Sequence, residues 1–195
     1  VRRSGLLAAA LLAAAFPAAA QDAARGRALA AQHQCAACHG ENGRSALAGI
    51  PSLAGQLAEF TTIQMILFRE GLRQVPPMNQ AAAGMADKDI EDLAAYFASL
   101  PPGPPEDRRP RDPALFARGE ALAGPRHCGV CHLPDFRGRN QVPRLTGQRE
   151  DFLVETLKAY RDGRRAGVDT QMNGAVVGLG DAEMAALAHY LAHLE

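Results

Sequence analysis

The sequence predicts an all-α protein made of two tandem copies of one small helical unit. Three observations carry that prediction. Segments of the N-terminal half recur in the C-terminal half at a near-constant offset of 92 to 94 residues. Apolar residues in both halves fall at helical spacing, and no alternating strand pattern competes. The chain of 195 residues is 47% hydrophobic yet only 5% aromatic, with no Trp. Aromatic rings normally supply much of a core's buried area. A ring-poor, alanine-rich core therefore leaves room for a bulky non-protein group. The charges exclude other classes. The chain has 21 Lys+Arg and 21 Asp+Glu, which rules out a strongly basic nucleic-acid surface or a polybasic membrane patch as the main business.

Residues 1–20, VRRSGLLAAALLAAAFPAAA, read as a secretory signal peptide. Arg2 and Arg3 form the positive start, Leu6 to Phe16 the apolar stretch, and Ala18 and Ala20 the small residues before the cut. The stretch is short and only weakly hydrophobic for a span of about 20 residues. Cleavage near Ala20 predicts a periplasmic protein, and Val1 fits an alternative bacterial start codon. Losing two arginines makes the mature chain slightly acidic.

The first copy is expected over residues 21–101, a Pro-rich linker over 102–113, and the second copy over 114–195. Arg25-Gly26-Arg27-Ala28-Leu29-Ala30 returns as Arg118-Gly119-Glu120-Ala121-Leu122-Ala123. Pro51-Ser52-Leu53-Ala54-Gly55-Gln56 returns as Pro143-Arg144-Leu145-Thr146-Gly147-Gln148. Phe68-Arg69-Glu70-Gly71 returns as Tyr160-Arg161-Asp162-Gly163. Each copy predicts three main helices. In the first copy they lie near residues 23–33, 57–70 and 87–100. Leu57, Phe60, Gln64 and Leu67 share a face of the second. Asp87 is the expected N-cap of the third, with Ile90, Leu93, Ala94 and Phe97 as its apolar stripe. Met184, Leu187, Ala188 and Leu191 repeat that stripe. Gly26 and Gly119 sit inside the first helices, where glycine is costly. Close packing against the last helix, near Tyr96 and Tyr190, accounts for them. The linker prolines forbid helix and stiffen the connection.

The four cysteines fall as Cys35-Ala36-Ala37-Cys38-His39 and Cys128-Gly129-Val130-Cys131-His132. This is the signature for covalent attachment of a c-type haem. Two thiols one helical turn apart can add to the two vinyl groups of a porphyrin, and the adjacent imidazole becomes the proximal iron ligand. A zinc site would need both pairs to supply its four ligands and would leave both histidines unexplained. The sequence thus predicts two covalently bound haem c groups, held by Cys35 and Cys38 and by Cys128 and Cys131, with His39 and His132 on the irons.

The repeat also selects the opposite ligand. Of five methionines, only Met78 meets another at the matching position, Met172. They follow the proximal histidines by 39 and 40 residues. Both fall in apparent loops, where a methionine is a poor core residue and a good reaching ligand. Met65, Met85 and Met184 align with other apolar residues and read as core. His189 and His193 have no counterparts, since Ala95 and Ser99 stand there, and they read as a solvated face. A ligating histidine usually donates its second N–H to a carbonyl or carboxylate. The carbonyls of Pro51 and Pro143 are the candidates. Arg69, Arg73, Arg161 and Arg165 precede the methionine segments and are candidates for the haem propionates, although solvated surface charge explains them equally well.

Taken together, CxxCH, Pro-x-Leu-x-Gly-Gln and the distal Met in each copy resemble the cytochrome c4 family. The resemblance covers nearly all of residues 22–195. It implies two tandem class I cytochrome c domains, each wrapped around one covalent haem and related by a pseudo-two-fold axis, with propionate edges facing across the interface. Phe60 and Phe152 stand where the family often has Tyr, which removes a hydrogen bond but no ligand. The implied function is a periplasmic electron carrier and not an enzyme. Its implied donors are a bc1-type complex or a dehydrogenase, its acceptors a cbb3-type or other terminal oxidase or reductase, with peripheral membrane association a further expectation. The dihaem subunit of a sulfide-oxidising flavocytochrome shares this architecture and is not separated by the sequence. A dihaem peroxidase or thiosulfate dehydrogenase fits less well, because the paired methionines leave no open iron position.

Overall fold

The computed structural model describes residues 21–165 and 170–194, and the predicted signal segment at 1–20 lies outside them. The N-terminal half holds α1 (Ala23–Gln32), α2 (Ala36–His39), α3 (Ala58–Arg69), α4 (Pro76–Ala82) and α5 (Asp87–Ser99). The C-terminal half repeats them as α6 (Pro113–Ala123), α7 (Cys128–His132), α8 (Glu150–Arg161), α9 (Gln171–Ala175) and α10 (Asp181–Ala192). Among the described residues there is no strand, only an isolated bridge between Arg139 and Val142. No helix among them is long and apolar enough to cross a membrane.

Local chemistry sets the helix ends. Asp22 and Asp112 begin α1 and α6 by accepting the N–H groups of Ala24 and Arg25, and of Ala114 and Leu115. That satisfies donors a helix start otherwise leaves open. Asp87 is not the cap expected from the sequence. Ala86 takes that position, and the Asp87 carboxylate accepts instead from Arg69 at 2.7 Å. The helix α3 presents two adjoining faces. Thr61, Met65 and Phe68 face the core, while Leu57, Phe60, Gln64 and Leu67 are half-buried on another side.

Each half packs around its own core. Ile90, Leu93 and Phe97 of α5 meet Met65 and Phe68 of α3. Met184, Leu187 and Leu191 of α10 meet Leu153 and Tyr160 of α8. The first helix of each half crosses the last one at a glycine. A Cβ on Gly26 would lie 1.9 Å from the Asp92 carbonyl oxygen, and one on Gly119 would lie 2.1 Å from that of Ala186. The close packing expected near Tyr96 and Tyr190 is thus present.

The first half carries one lock that the second lacks. Asp92 is fully buried, and the same position in α10 is Ala186. Its carboxylate accepts from the Asp22 N–H at 2.7 Å, from Arg25 at 2.6 Å and from Lys88. Burial alone would raise its pKa, but Lys88, the Asp22 N–H and Arg25 outweigh burial and bring it down to about 2. The stability this supplies is present above the ordinary aspartate pKa of about 3.9 and is lost as pH falls through about 2. Asp92→Asn is expected to cost the N-terminal half about 2 kcal/mol, the scale of a charged hydrogen bond. Chemical denaturation at neutral pH measures it, and an unchanged midpoint would show the lock to be idle.

The halves meet through reciprocal contacts. The side-chain amide of Gln56 pairs with the backbone of Arg144, and that of Gln148 with the backbone of Ser52. Gln56 and Gln148 are equivalent positions, as are Ser52 and Arg144, so these contacts obey a local two-fold. Arg149 breaks the symmetry, because Leu57 stands at its counterpart. Its guanidinium donates to the Ser45 carbonyl at 3.0 Å, to Asp107 of the linker at 2.7 Å, and to Asp151. Arg149→Ala is expected to let the halves separate in part, read as a larger radius of gyration in solution scattering.

Candidate haem sites

The short helices α2 and α7 carry the attachment residues. Cys35 and Cys128 are half-buried, Cys38 and Cys131 are exposed, and no disulfide joins them. Such pairs suit one edge of a planar group, with one thiol inside and one at the rim. His39 and His132 close these helices and are buried. Nδ1 of His39 lies 2.8 Å from the Pro51 carbonyl oxygen, and Nδ1 of His132 lies 2.9 Å from that of Pro143. Burial pulls both imidazoles below their ordinary pKa, more strongly than those carbonyls push the other way. A neutral ring that donates from Nδ1 presents a bare Nε2 lone pair, the form an iron requires.

Met78 and Met172 are held in short helices, α4 and α9, and not in loops as the sequence suggests. Proline at the start of α4 has its φ preset for helix and loses no needed N–H. The following asparagines fix both segments, and sequence reasoning missed them. Asn79 donates to the carbonyls of Phe68 and Arg73 at 2.7 and 2.8 Å. Asn173 does the same to Tyr160 and Arg165 at 2.7 and 2.9 Å. The signal was available, since Met-Asn is repeated at 78–79 and 172–173. Both methionines are half-buried against the core of their half, whereas Met65, Met85 and Met184 are buried within it.

The four arginines divide into two kinds. Arg69 is taken by Glu70, Asp87 and the Met85 carbonyl. Arg161 is likewise taken by Asp162 and Asp181. These two tie helix ends together and have little left for a propionate. Among the described residues, Arg73 and Arg165 bond no carboxylate. Arg73 donates to Gln64 at 2.6 Å and lies over the Phe68 ring; Arg165 reaches the same Gln64 from the other half at 3.2 Å and lies over the Tyr160 ring. Burial, then repulsion from Arg165, lowers the Arg73 pKa to about 9. Burial also lowers that of Arg165, whose Nε is buried without a partner. Among the described residues no carboxylate faces these two cations, and one buried donor is orphaned. The residues present therefore fit a group that brings carboxylates to the interface.

His189 and His193 are not a solvated face. His189 is buried, its Nε2 accepts the Asp112 N–H at 2.9 Å, and its Nδ1 meets Glu150 at 3.0 Å. His193 bridges the His189 and Arg109 carbonyls. They fasten the linker to the second half, a task without a counterpart in the first. That explains why the repeat carries only one such pair.

Two attachment pairs, each ending in a buried neutral imidazole, define a c-type cytochrome with two covalent haems per chain. Comparison with known proteins narrows the class. The profile of the family described as cytochrome c matches residues 23–101 and 116–195. Cytochrome c4 of Thiocapsa roseopersicina is 35% identical over 170 residues, covering 80% of this chain and 85% of the relative. A thiosulfate dehydrogenase electron acceptor of Stutzerimonas stutzeri is 31% identical over 179 residues, covering 87% and 83%. Among solved structures, reduced recombinant cytochrome c4 from Pseudomonas stutzeri superposes with a TM-score of 0.82 at 30% identity, over 90% of this chain and 100% of that one. The chain belongs to the cytochrome c4 family.

Proposed function

We propose that this protein is a periplasmic shuttle that moves single electrons between respiratory partners and catalyses no reaction of its own. Residues 21–101 and 114–195 each form one haem-bearing domain, joined by the linker at 102–113. Each haem, when bound, supplies an iron that takes up and gives back one electron. The chain does the rest. Cys35 and Cys38, and Cys128 and Cys131, hold the porphyrins. His39 and Met78 would ligate one iron, and His132 and Met172 the other. The apolar cores keep water away and methionine ligation favours a relatively high potential. Arg73 and Arg165 balance the propionates. The observation that supports this reading is the matched pair of Asn-anchored methionines, which as ligands would leave neither iron open to substrate.

The donor is a bc1-type complex or a dehydrogenase, and the acceptor a cbb3-type or other terminal oxidase. The relative named as a thiosulfate dehydrogenase electron acceptor favours a dehydrogenase among the donors. The carrier reading is tested by adding thiosulfate to the oxidised protein alone and then with a thiosulfate dehydrogenase. Reduction only when the enzyme is present supports a carrier. Prompt reduction by thiosulfate alone would make the chain an enzyme.

A further inference from the structure

We propose that Gln56 and Gln148 are positioning residues acting across the domain interface, each setting the strength of the hydrogen bond made by the proximal histidine of the other half. The inference rests on His39 and His132 being iron ligands. Its geometry is a relay through a single peptide unit. The Pro51–Ser52 peptide accepts His39 Nδ1–H on its carbonyl, at 2.8 Å, and donates its N–H to Gln148 Oε1, also at 2.8 Å. The Pro143–Arg144 peptide accepts His132 Nδ1–H at 2.9 Å and donates to Gln56 Oε1 at 2.9 Å. Each histidine is thus one peptide away from a glutamine of the opposite half.

The amide orientations are fixed from both sides. Gln148 Oε1 also accepts the Arg149 N–H, and Gln56 Oε1 the Leu57 N–H, at the starts of α8 and α3. The opposite ends of the amides donate to the Ser52 and Arg144 carbonyls at 2.9 and 3.1 Å. Flipping either amide would aim donors at donors. Ser52, Gln56 and Gln148 are all buried, so water does not compete.

The sign follows from peptide resonance. A peptide whose N–H is donated carries more negative charge on its carbonyl oxygen, and hydrogen bonds in a chain strengthen one another. A stronger acceptor at Pro51 draws on the His39 Nδ1–H and makes the ring a more basic ligand. A more basic ligand favours Fe(III). Gln148 therefore lowers the potential of the haem in the first half, and Gln56 that of the haem in the second. Docking of the halves is written into both potentials, so any force that splays them would raise both.

The test uses the full dihaem protein with Gln148→Leu, Gln56→Leu and Gln148→Glu. NMR follows the two proximal Nδ1–H resonances, and a redox titration follows each haem. Gln148→Leu is expected to move the His39 Nδ1–H upfield and raise the first haem's potential more than the second's. Gln56→Leu is expected to do the same to His132 and the second haem. Gln148→Glu keeps a stronger acceptor for the Ser52 N–H and is expected to move His39 Nδ1–H the opposite way. It also serves if the leucine variant does not fold. The proposal is overturned if both glutamine variants act on the same haem, on both equally, or on neither. An unsubstituted protein without His/Met spectra would instead overturn the ligand assignment beneath it.

Discussion

Gly119→Ala is expected to cost the C-terminal half at least about 3 kcal/mol, at the upper end of what overpacking usually does. The added Cβ would sit 2.1 Å from the Ala186 carbonyl oxygen and 2.5 Å from Tyr190 Cβ. One of those atoms is backbone and the other is fixed to it, so no rotamer change relieves the clash. The helices α6 and α10 must separate. Separation breaks the edge-on contacts of Tyr190 with Phe116 and Phe136, whose ring centres lie 5.0 and 5.8 Å away. Alanine's better helix propensity returns only about 1 kcal/mol. A unit of about 80 residues has a total stability of roughly 4 to 12 kcal/mol, so the loss is a large share. Urea unfolding followed at the haem bands measures it. Wild-type stability in Gly119→Ala would mean that the crossing is looser than described.

Met78→Ala is expected to remove the iron–sulfur charge-transfer band of one haem and leave that of the other. Cys35 and Cys38 would still hold the porphyrin, so haem content should not change. The affected haem should also fall in potential, because methionine ligation raises it. The truncation leaves space beside the core of the first half, with a cost of up to a few kcal/mol that partial exposure reduces. Loss of both bands would point to a ligand shared between the halves. Loss of neither would mean that Met78 is core and that some other group reaches the iron.

Much of this fold was legible because each signal was local. A CxxCH run contains its own chemistry, and a helical stripe is visible within one window. The repeat then acted as an internal control, separating Met78 and Met172 from three core methionines. The misreadings share a different origin. Asp87 looks like a cap in isolation, but Arg69 lies close enough to claim its carboxylate. His189 looks like surface because only the folded linker brings Asp112 to its Nε2. Arg149 and Asp92 have no counterpart in the other copy, so the repeat does not point to them. Arg73 and Arg69 are alike in sequence and differ only in which carboxylates the fold places beside them. The glutamines of Pro-x-Leu-x-Gly-Gln were visible as a repeat, but their partners lie in the opposite half.

The central claim is that one chain holds two equivalent carriers, each closed by a histidine and a methionine. An optical redox titration of the purified protein, with haem quantified as pyridine haemochrome, tests it most directly. Two covalent haems per chain, both low-spin with the iron–sulfur band when oxidised, and two electrons taken up per chain, are the expected result. A single haem, or a five-coordinate or bis-histidine iron in the resting protein, would contradict it.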